Sequence, residues 1–227
     1  MIMKNIYHLF LSILLIGAHS CVFAKSSDTL DGKAVAPAIE IFVKDLQCEL
    51  HMESYSIPVK GLSDKNAMVV SIPFSGHYKM YINEEWFNSL SVDGRRFLVG
   101  HELMHIKHKH IQKSVLLSLA FPSLSARLLF PLWGKKKGPS NAFEAMLTLW
   151  YSRRNEKEAD ISCAKRLHCA NGGIEVFTSL ETSPDKRLFK VPDAFLDHPS
   201  HKVRIEYLQE LAESEKYQNS CYAYATF

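Results

Sequence analysis

The sequence predicts an α+β fold that is mostly α-helical and carries a small β-hairpin. Apolar residues recur at helical spacing across 95–112 and again across 142–167, which predicts two long helices. Two short strand-like runs, 68–72 and 79–82, flank a Pro-Phe-Ser-Gly turn. They predict a hairpin just before the first long helix. A helical or mixed segment is expected earlier in the chain, at about 39–57.

The N-terminus predicts a secretory signal peptide at 1–24. It has a short basic start, an apolar core at about 9–18 and small residues before a cleavage site after Ala24. Lipidation at Cys21 and an uncleaved anchor are the two alternatives. Residues 25–227 suffice for a single domain with a sizeable core. We therefore expect an exported protein, periplasmic or secreted, with membrane association left open.

The four cysteines of the expected mature chain suggest disulfides, because the exported space is oxidising. Four cysteines allow three pairings, and we favour Cys163–Cys169 together with Cys48–Cys221. The chain has no C-x-x-C pair, so a cysteine-rich zinc site is not expected.

An apolar and then basic stretch at 114–137 allows three interpretations. The three interpretations are a buried helical hairpin, a membrane-surface hairpin anchored by Trp133 and the lysines that follow, and a membrane span. Pro122 and Arg127 near its middle argue against the span. The formal net charge of +3 is too small to indicate a nucleic-acid partner, whereas peripheral membrane contact through this stretch stays open.

A His-Glu-x-x-His pattern lies in the first predicted long helix. Residues four apart share a helix face, so His101 and His105 can reach one tetrahedral zinc ion. Glu102 flanks that position and can accept a proton from a water that the metal activates. The alternative is an exposed face with two solvated histidines, which the apolar neighbours of the motif disfavour. The pattern is typical of zinc-dependent peptidases.

A catalytic zinc site needs a third protein ligand. A third histidine six residues after His105 is excluded, because Ile111 holds that position. His108 is expected instead, with His110 and the neighbouring lysines, in a basic and solvated helix end that suits the helix dipole.

The second predicted long helix offers carboxylates. Glu156 and Asp160 are four residues apart and share one face. Glu156 can close the zinc site, and Asp160 can accept the free N–H of a zinc-bound histidine. Alternatively, this face is solvated and forms ion pairs with the lysine and arginines nearby.

Three motifs together resemble the gluzincin family of CAAX prenyl endopeptidases and HtpX-type membrane quality-control peptidases. They are His-Glu-x-x-His at 101–105, Ser-Arg-x-x-Glu-x-x-Ala-Asp at 152–160, and His-Pro with a later arginine at 198–204. The resemblance implies a zincin-like fold in which Glu156 is the third ligand of one zinc ion. It also implies that His198 stabilises the reacting carbonyl oxygen and that Arg204 supports the active site.

The resemblance implies a zinc-dependent endopeptidase for protein or peptide substrates, unfolded or membrane-associated, in envelope quality control or processing. The alternative is an exported, zinc-stabilised, membrane-associating interaction or chaperone-like protein without proteolytic activity. Prenyl-protein cleavage is not expected, because the prenyl proteases of this family span the membrane many times. The predicted hairpin either is structural or binds an extended substrate by strand addition, as in zincin peptidases generally.

Overall fold

The computed structural model describes residues 33–117, 120, 138–181 and 199–224. The predicted class is confirmed, because helices dominate and one small sheet accompanies them. The helices are α1 (Pro37–Glu49), α2 (Glu84–Ser89), α3 (Val92–Lys107), α4 (110–117), α5 (Gly138–Leu167), α6 (Ala170–Glu181) and α7 (His201–Tyr224). The strands are β1 (Val59–Gly61), β2 (Ala67–Ser71) and β3 (Tyr78–Ile82).

The predicted hairpin is confirmed as β2 and β3, which pair antiparallel with Val69 opposite Met80. Gly76 in the connecting turn has a φ of 71°, a conformation that glycine adopts without steric cost. The sequence interpretation missed β1, which pairs parallel to β3 and makes the strand order β1-β3-β2. At three residues, β1 is too short to show a period-2 pattern. In the sheet that the described residues form, β2 lies at one edge.

The centre of the fold is α3, which packs against α1, α5, α6 and β2. Ser91 caps its start by accepting a 3.0 Å hydrogen bond from the N–H of Gly94. Residues on all sides of the helix are buried, which is typical of a helix inside a core. Gly100 allows α5 to approach closely, because a Cβ there would lie 2.5 Å from Leu167 and 2.6 Å from Cys163.

The first long helix is not continuous to residue 112 as predicted. It ends at Lys107, and Lys109 then adopts a φ of 57° before α4 begins. Such a left-handed residue breaks the helix without leaving a glycine or proline signal in the sequence. The second long helix begins at Gly138, a few residues before the predicted 142.

The predicted Cys163–Cys169 disulfide is wrong, since both cysteines are free thiols. Sγ of Cys163 lies 3.5 Å from the carbonyl oxygen of Phe97, and Sγ of Cys169 lies 4.0 Å from the carbonyl oxygen of Cys163. The first thiol is therefore used in the packing of α5 on α3. Cys48 is also a free thiol, so its predicted pairing with Cys221, whose side chain lies outside the described part, is not supported.

Two further predictions fall largely outside the described residues. These are the signal peptide at 1–24 and most of the apolar stretch at 114–137, of which 114–117 lies in α4. Within the described ranges, no helix combines the length and the apolar character needed to cross a membrane.

Candidate metal centre

Two helices bring the predicted ligands together. His101 and His105 lie on α3, and Glu156 lies on α5. Nε2 of His101 is 3.1 Å from Nε2 of His105. One carboxylate oxygen of Glu156 is 3.5 Å from Nε2 of His101, and the other is 3.3 Å from Nε2 of His105. All three residues are buried, which argues against the alternative of a solvated helix face.

These three donors fit a zinc ion. With bonds of about 2.0–2.1 Å, neighbouring ligand atoms of a tetrahedral zinc ion lie roughly 3.3–3.4 Å apart. The three measured separations, 3.1, 3.3 and 3.5 Å, lie close to that length. Their ligand atoms all lie within 4.8 Å of one another, and no other group of three in the described ranges does so. A buried cluster of lone pairs without a cation would be costly.

The surroundings favour positive charge at this point. Burial raises the pKa of Glu156, but His105, His101 and Arg204 outweigh burial and hold that pKa well below its ordinary value. Burial lowers the pKa of His101, but Asp160 and Glu156 outweigh it and raise that pKa to about 10. The carboxylates that attract a proton to His101 attract a metal cation for the same reason.

Asp160 lies fully buried behind His101, one helical turn after Glu156. Its Oδ1 is 2.8 Å from Nδ1 of His101, an electrostatic contact and not a well-aligned hydrogen bond. Arg204 on α7 donates two hydrogen bonds to Asp160, of 2.7 and 2.6 Å, and lies 3.1 Å from Glu156. The Tyr207 hydroxyl also donates to Asp160. Arg204 therefore links a metal-ligand carboxylate to the carboxylate that faces His101.

Glu102 connects the metal ligands to the sheet. Its Oε2 accepts a 2.8 Å hydrogen bond from the backbone N–H of Val69 in β2. Burial raises the pKa of Glu102 above its ordinary value, against the lowering effect of His101 and His105. A carboxylate with a raised pKa is a stronger proton acceptor, so this environment suits a general base.

A cavity opens beside the ligands, and much of its lining is apolar. Its apolar lining comes from β2, α2, α3, α4 and α6: Ala67, Val69, Trp86, Phe97, Leu98, Ile111, Val176, Phe177 and Leu180. His201, at the start of α7, lines the same cavity and stacks on Phe177 with ring centroids 5.7 Å apart. A space of this kind accepts an apolar side chain next to a metal ion.

The structure brings together six of the seven predicted site residues: His101, Glu102, His105, Glu156, Asp160 and Arg204. His198 lies outside the described residues, and its role stays a prediction. Tyr207 was missed, although it lies one turn after Arg204 and helical spacing could have identified it.

His110 was also missed, and its expected place in a solvated helix end is wrong. It is only 2% exposed, and its Nδ1 lies 3.0 Å from Nδ1 of His105. Burial, together with nearby His105 and His108, lowers the pKa of His110 to about 2, so its ring is neutral. No motif marked this residue, because its position depends on the break between α3 and α4.

The family model for Peptidase family M48 matches residues 35–212. This match covers more than half of the chain and includes all six residues of the site described above. The chain belongs to peptidase family M48. Its members are zinc metallopeptidases, so the predicted family, enzyme class and zinc cofactor are confirmed.

The fold of this M48 chain is similar to that in the crystal structure of Ste24p from S. mikatae. The TM-score is 0.55, the sequence identity is 16%, and the match covers 89% of this chain and 56% of the Ste24p chain. At this identity the likeness shows the fold alone, and the chain spans little more than half the length of Ste24p. A comparison with curated proteins finds no match.

Proposed function

We propose that this M48 peptidase is an endopeptidase that cleaves unfolded or membrane-associated proteins in the cell envelope. The observation that carries the proposal is the buried cluster of His101, His105 and Glu156 with Glu102 beside it. Family membership supports zinc-dependent proteolysis. The substrate class and the location rest on the predicted signal peptide and on the resemblance of the three motifs.

The residues of the site divide the chemical tasks among them. His101, His105 and Glu156 would hold a zinc ion, which would supply a Lewis acid for the scissile carbonyl and lower the pKa of the attacking water. Glu102 would accept a proton from that water and transfer it to the leaving amine. The hydrogen bond from Val69 holds the Glu102 carboxylate in position while it does so. No covalent intermediate with a side chain is needed.

An extended substrate is proposed to lie along the edge strand β2. This strand contacts α3, and its Val69 N–H reaches Glu102, so a peptide added to its edge runs past the metal ligands. Strand addition uses backbone hydrogen bonds and needs no fixed sequence, which suits an unfolded chain. The apolar cavity then accepts one substrate side chain beside the scissile bond.

Two parts of the proposal involve residues outside the described ranges. His198 is proposed to donate a hydrogen bond to the carbonyl oxygen as it gains charge. We expect His198→Ala to lower turnover far more than it lowers zinc affinity, and equal losses of both would contradict this role. Residues 114–137 are proposed to make peripheral membrane contact, which flotation with liposomes would detect.

The decisive experiment compares the wild-type protein with Glu102→Gln. Zinc content is measured in both, together with chelator-sensitive cleavage of casein, an unfolded substrate. We expect about one zinc ion in each and a loss of cleavage of about 10²–10⁴-fold in the variant, because a general base contributes that much. Absence of zinc from both proteins, or equal cleavage by both, would show that the proposal is wrong.

A further inference from the structure

The second histidine of the metal centre has an unusual partner. Nδ1 of His105 lies 3.0 Å from Nδ1 of His110, with the ring centroids 4.9 Å apart and the ring planes at 80°. Metal-bound histidines ordinarily donate to a carboxylate, a backbone carbonyl or water. The corresponding nitrogen of His101 faces a carboxylate, with Oδ1 of Asp160 2.8 Å from its Nδ1. His105 instead faces another imidazole.

The direction of each lone pair fixes where the protons lie. Nε2 of His105 faces Glu156 and Nε2 of His101, so a metal ligand must keep its lone pair there. The proton of His105 is therefore on Nδ1, which donates to Nδ1 of His110. This assignment leaves the proton of His110 on Nε2.

Glu158 favours the same tautomer of His110. Its Oε2 lies 3.6 Å from Nε2 of His110, which is too long for a direct hydrogen bond but electrostatically favourable for an N–H. Nε2 of His110 is buried and has no hydrogen-bond partner among the described residues. Glu158 is itself 40% exposed and also lies 3.5 Å from His108, so its contribution is weak and screened.

The break after α3 is what brings His110 to His105. On a continuous helix, a residue five positions later points about 140° away from the first one. The left-handed backbone of Lys109 changes this direction, and the N–H groups of His108 and Lys109 bond back to Met104 and Ile106 at 2.9 and 3.0 Å. A positive φ at a lysine is uncommon and costs free energy. The break thus returns His110 to the metal-ligand face.

We propose that His110 is a positioning residue of the metal centre: its Nδ1 accepts the Nδ1–H of His105 and holds Nε2 of His105 toward Glu156. The proposal rests on the proposed function, because it takes His101, His105 and Glu156 as zinc ligands. It adds that the two ligand histidines have partners of different charge, a carboxylate for His101 and a neutral imidazole for His105.

The test measures zinc affinity by competition with a chromophoric chelator, using the full-length protein. His110→Phe keeps the size of the ring but removes the acceptor, and we expect zinc to bind about 10–100-fold more weakly. His110→Asn places an amide oxygen at the Nδ1 position, and we expect affinity near the wild-type value. His77→Gln is the control for loss of a histidine away from the site, since His77 is exposed in the turn between β2 and β3.

A second measurement reads the geometry directly. The visible spectrum of the Co²⁺-substituted protein reports ligand arrangement without any catalytic turnover. We expect His110→Phe to change this spectrum and His110→Asn to leave it close to wild type. Lys109→Val, which places a β-branched side chain at positive φ, should weaken zinc binding, whereas Lys109→Gly should not. The two Lys109 variants test the proposal even if His110→Phe does not fold.

Two results would overturn the proposal. One is a folded His110→Phe protein that binds zinc as tightly as wild type. The other is a His110→Asn protein as weak as His110→Phe, because the acceptor would then be irrelevant. If the wild-type protein binds no zinc at all, the proposed function is wrong and this inference fails with it. If the wild type binds zinc and one of the two results above is found, only this inference is wrong.

Discussion

Arg204 offers a sharp test of how the site is held together, because one guanidinium compensates two buried carboxylates. Its side chain is 7% exposed, donates two hydrogen bonds to Asp160 and lies 3.1 Å from Glu156. It also lies 4.0 Å from the ring centroid of Phe177. Arg204→Met keeps much of the apolar packing but leaves both carboxylates without this cation.

Removing one partner of a buried ion pair costs about 3–5 kcal/mol of unfolding free energy. We expect the lower end, about 3 kcal/mol, because the raised pKa of His101 keeps a second cation beside Asp160 in metal-free protein. Arg204→Lys retains the charge but not the two parallel N–H donors of the guanidinium. It should therefore lose about 1.5–3 kcal/mol of unfolding free energy, the value of a hydrogen bond to a charged group.

Urea unfolding in the presence of EDTA measures these differences without a contribution from zinc. The double variant Arg204→Met with Asp160→Asn should lose less unfolding free energy than the two single variants lose together, because it removes a charge of each sign. A loss below about 1 kcal/mol for Arg204→Met, or additive single losses, would refute the reasoning. Arg204→Lys provides a readable result if the methionine variant does not fold.

Three further predictions concern packing, metal and pH. Gly172→Ala would place a Cβ 2.1 Å from the carbonyl oxygen of Asp93 and should cost about 3 kcal/mol in urea unfolding. Gly76→Ala, with free space but a φ of 71°, should cost only about 1–2 kcal/mol. Zinc should raise the Tm of wild type, and Glu156→Gln should abolish that rise in thermal scans. Since the pKa of Asp160 is lowered from 3.8 in the fold, its stabilisation is present above pH 3.8 and should disappear as pH falls through the lowered value, as acid titration of unfolding would show.

Sequence reasoning located the parts of the site that follow from one helix at a time. His101 with His105, and Glu156 with Asp160, are pairs at four-residue spacing, and helix geometry alone places each pair on one face. That the two faces meet depends on α3 packing against α5, which no local pattern encodes. The resemblance of the three motifs supplied that step.

Features that depend on a single backbone conformation could not be predicted from spacing. His110 was placed on a solvated face because the helix was expected to continue, and the left-handed backbone at Lys109 reverses that outcome. The number of cysteines suggests a disulfide between Cys163 and Cys169, but it says nothing about where each thiol points. In the structure, the packing of α5 on α3 directs the first thiol toward Phe97.

The charges in the site explain why zinc, the arginine and the general base belong together. Glu102, Glu156 and Asp160 are three buried carboxyl groups, and Arg204 is the guanidinium that contacts two of them. When the carboxyl groups are ionised and both histidines are neutral, as metal ligands must be, two negative charges remain uncompensated, and a zinc ion carries two positive charges. Burying an unbalanced charge is costly, so zinc stabilises the ionised form of Glu102 that proton transfer requires. With or without zinc, Arg204→Met leaves one more negative charge uncompensated and Asp160→Asn removes one, which is why we expect the double variant to lose less stability than the two single variants together.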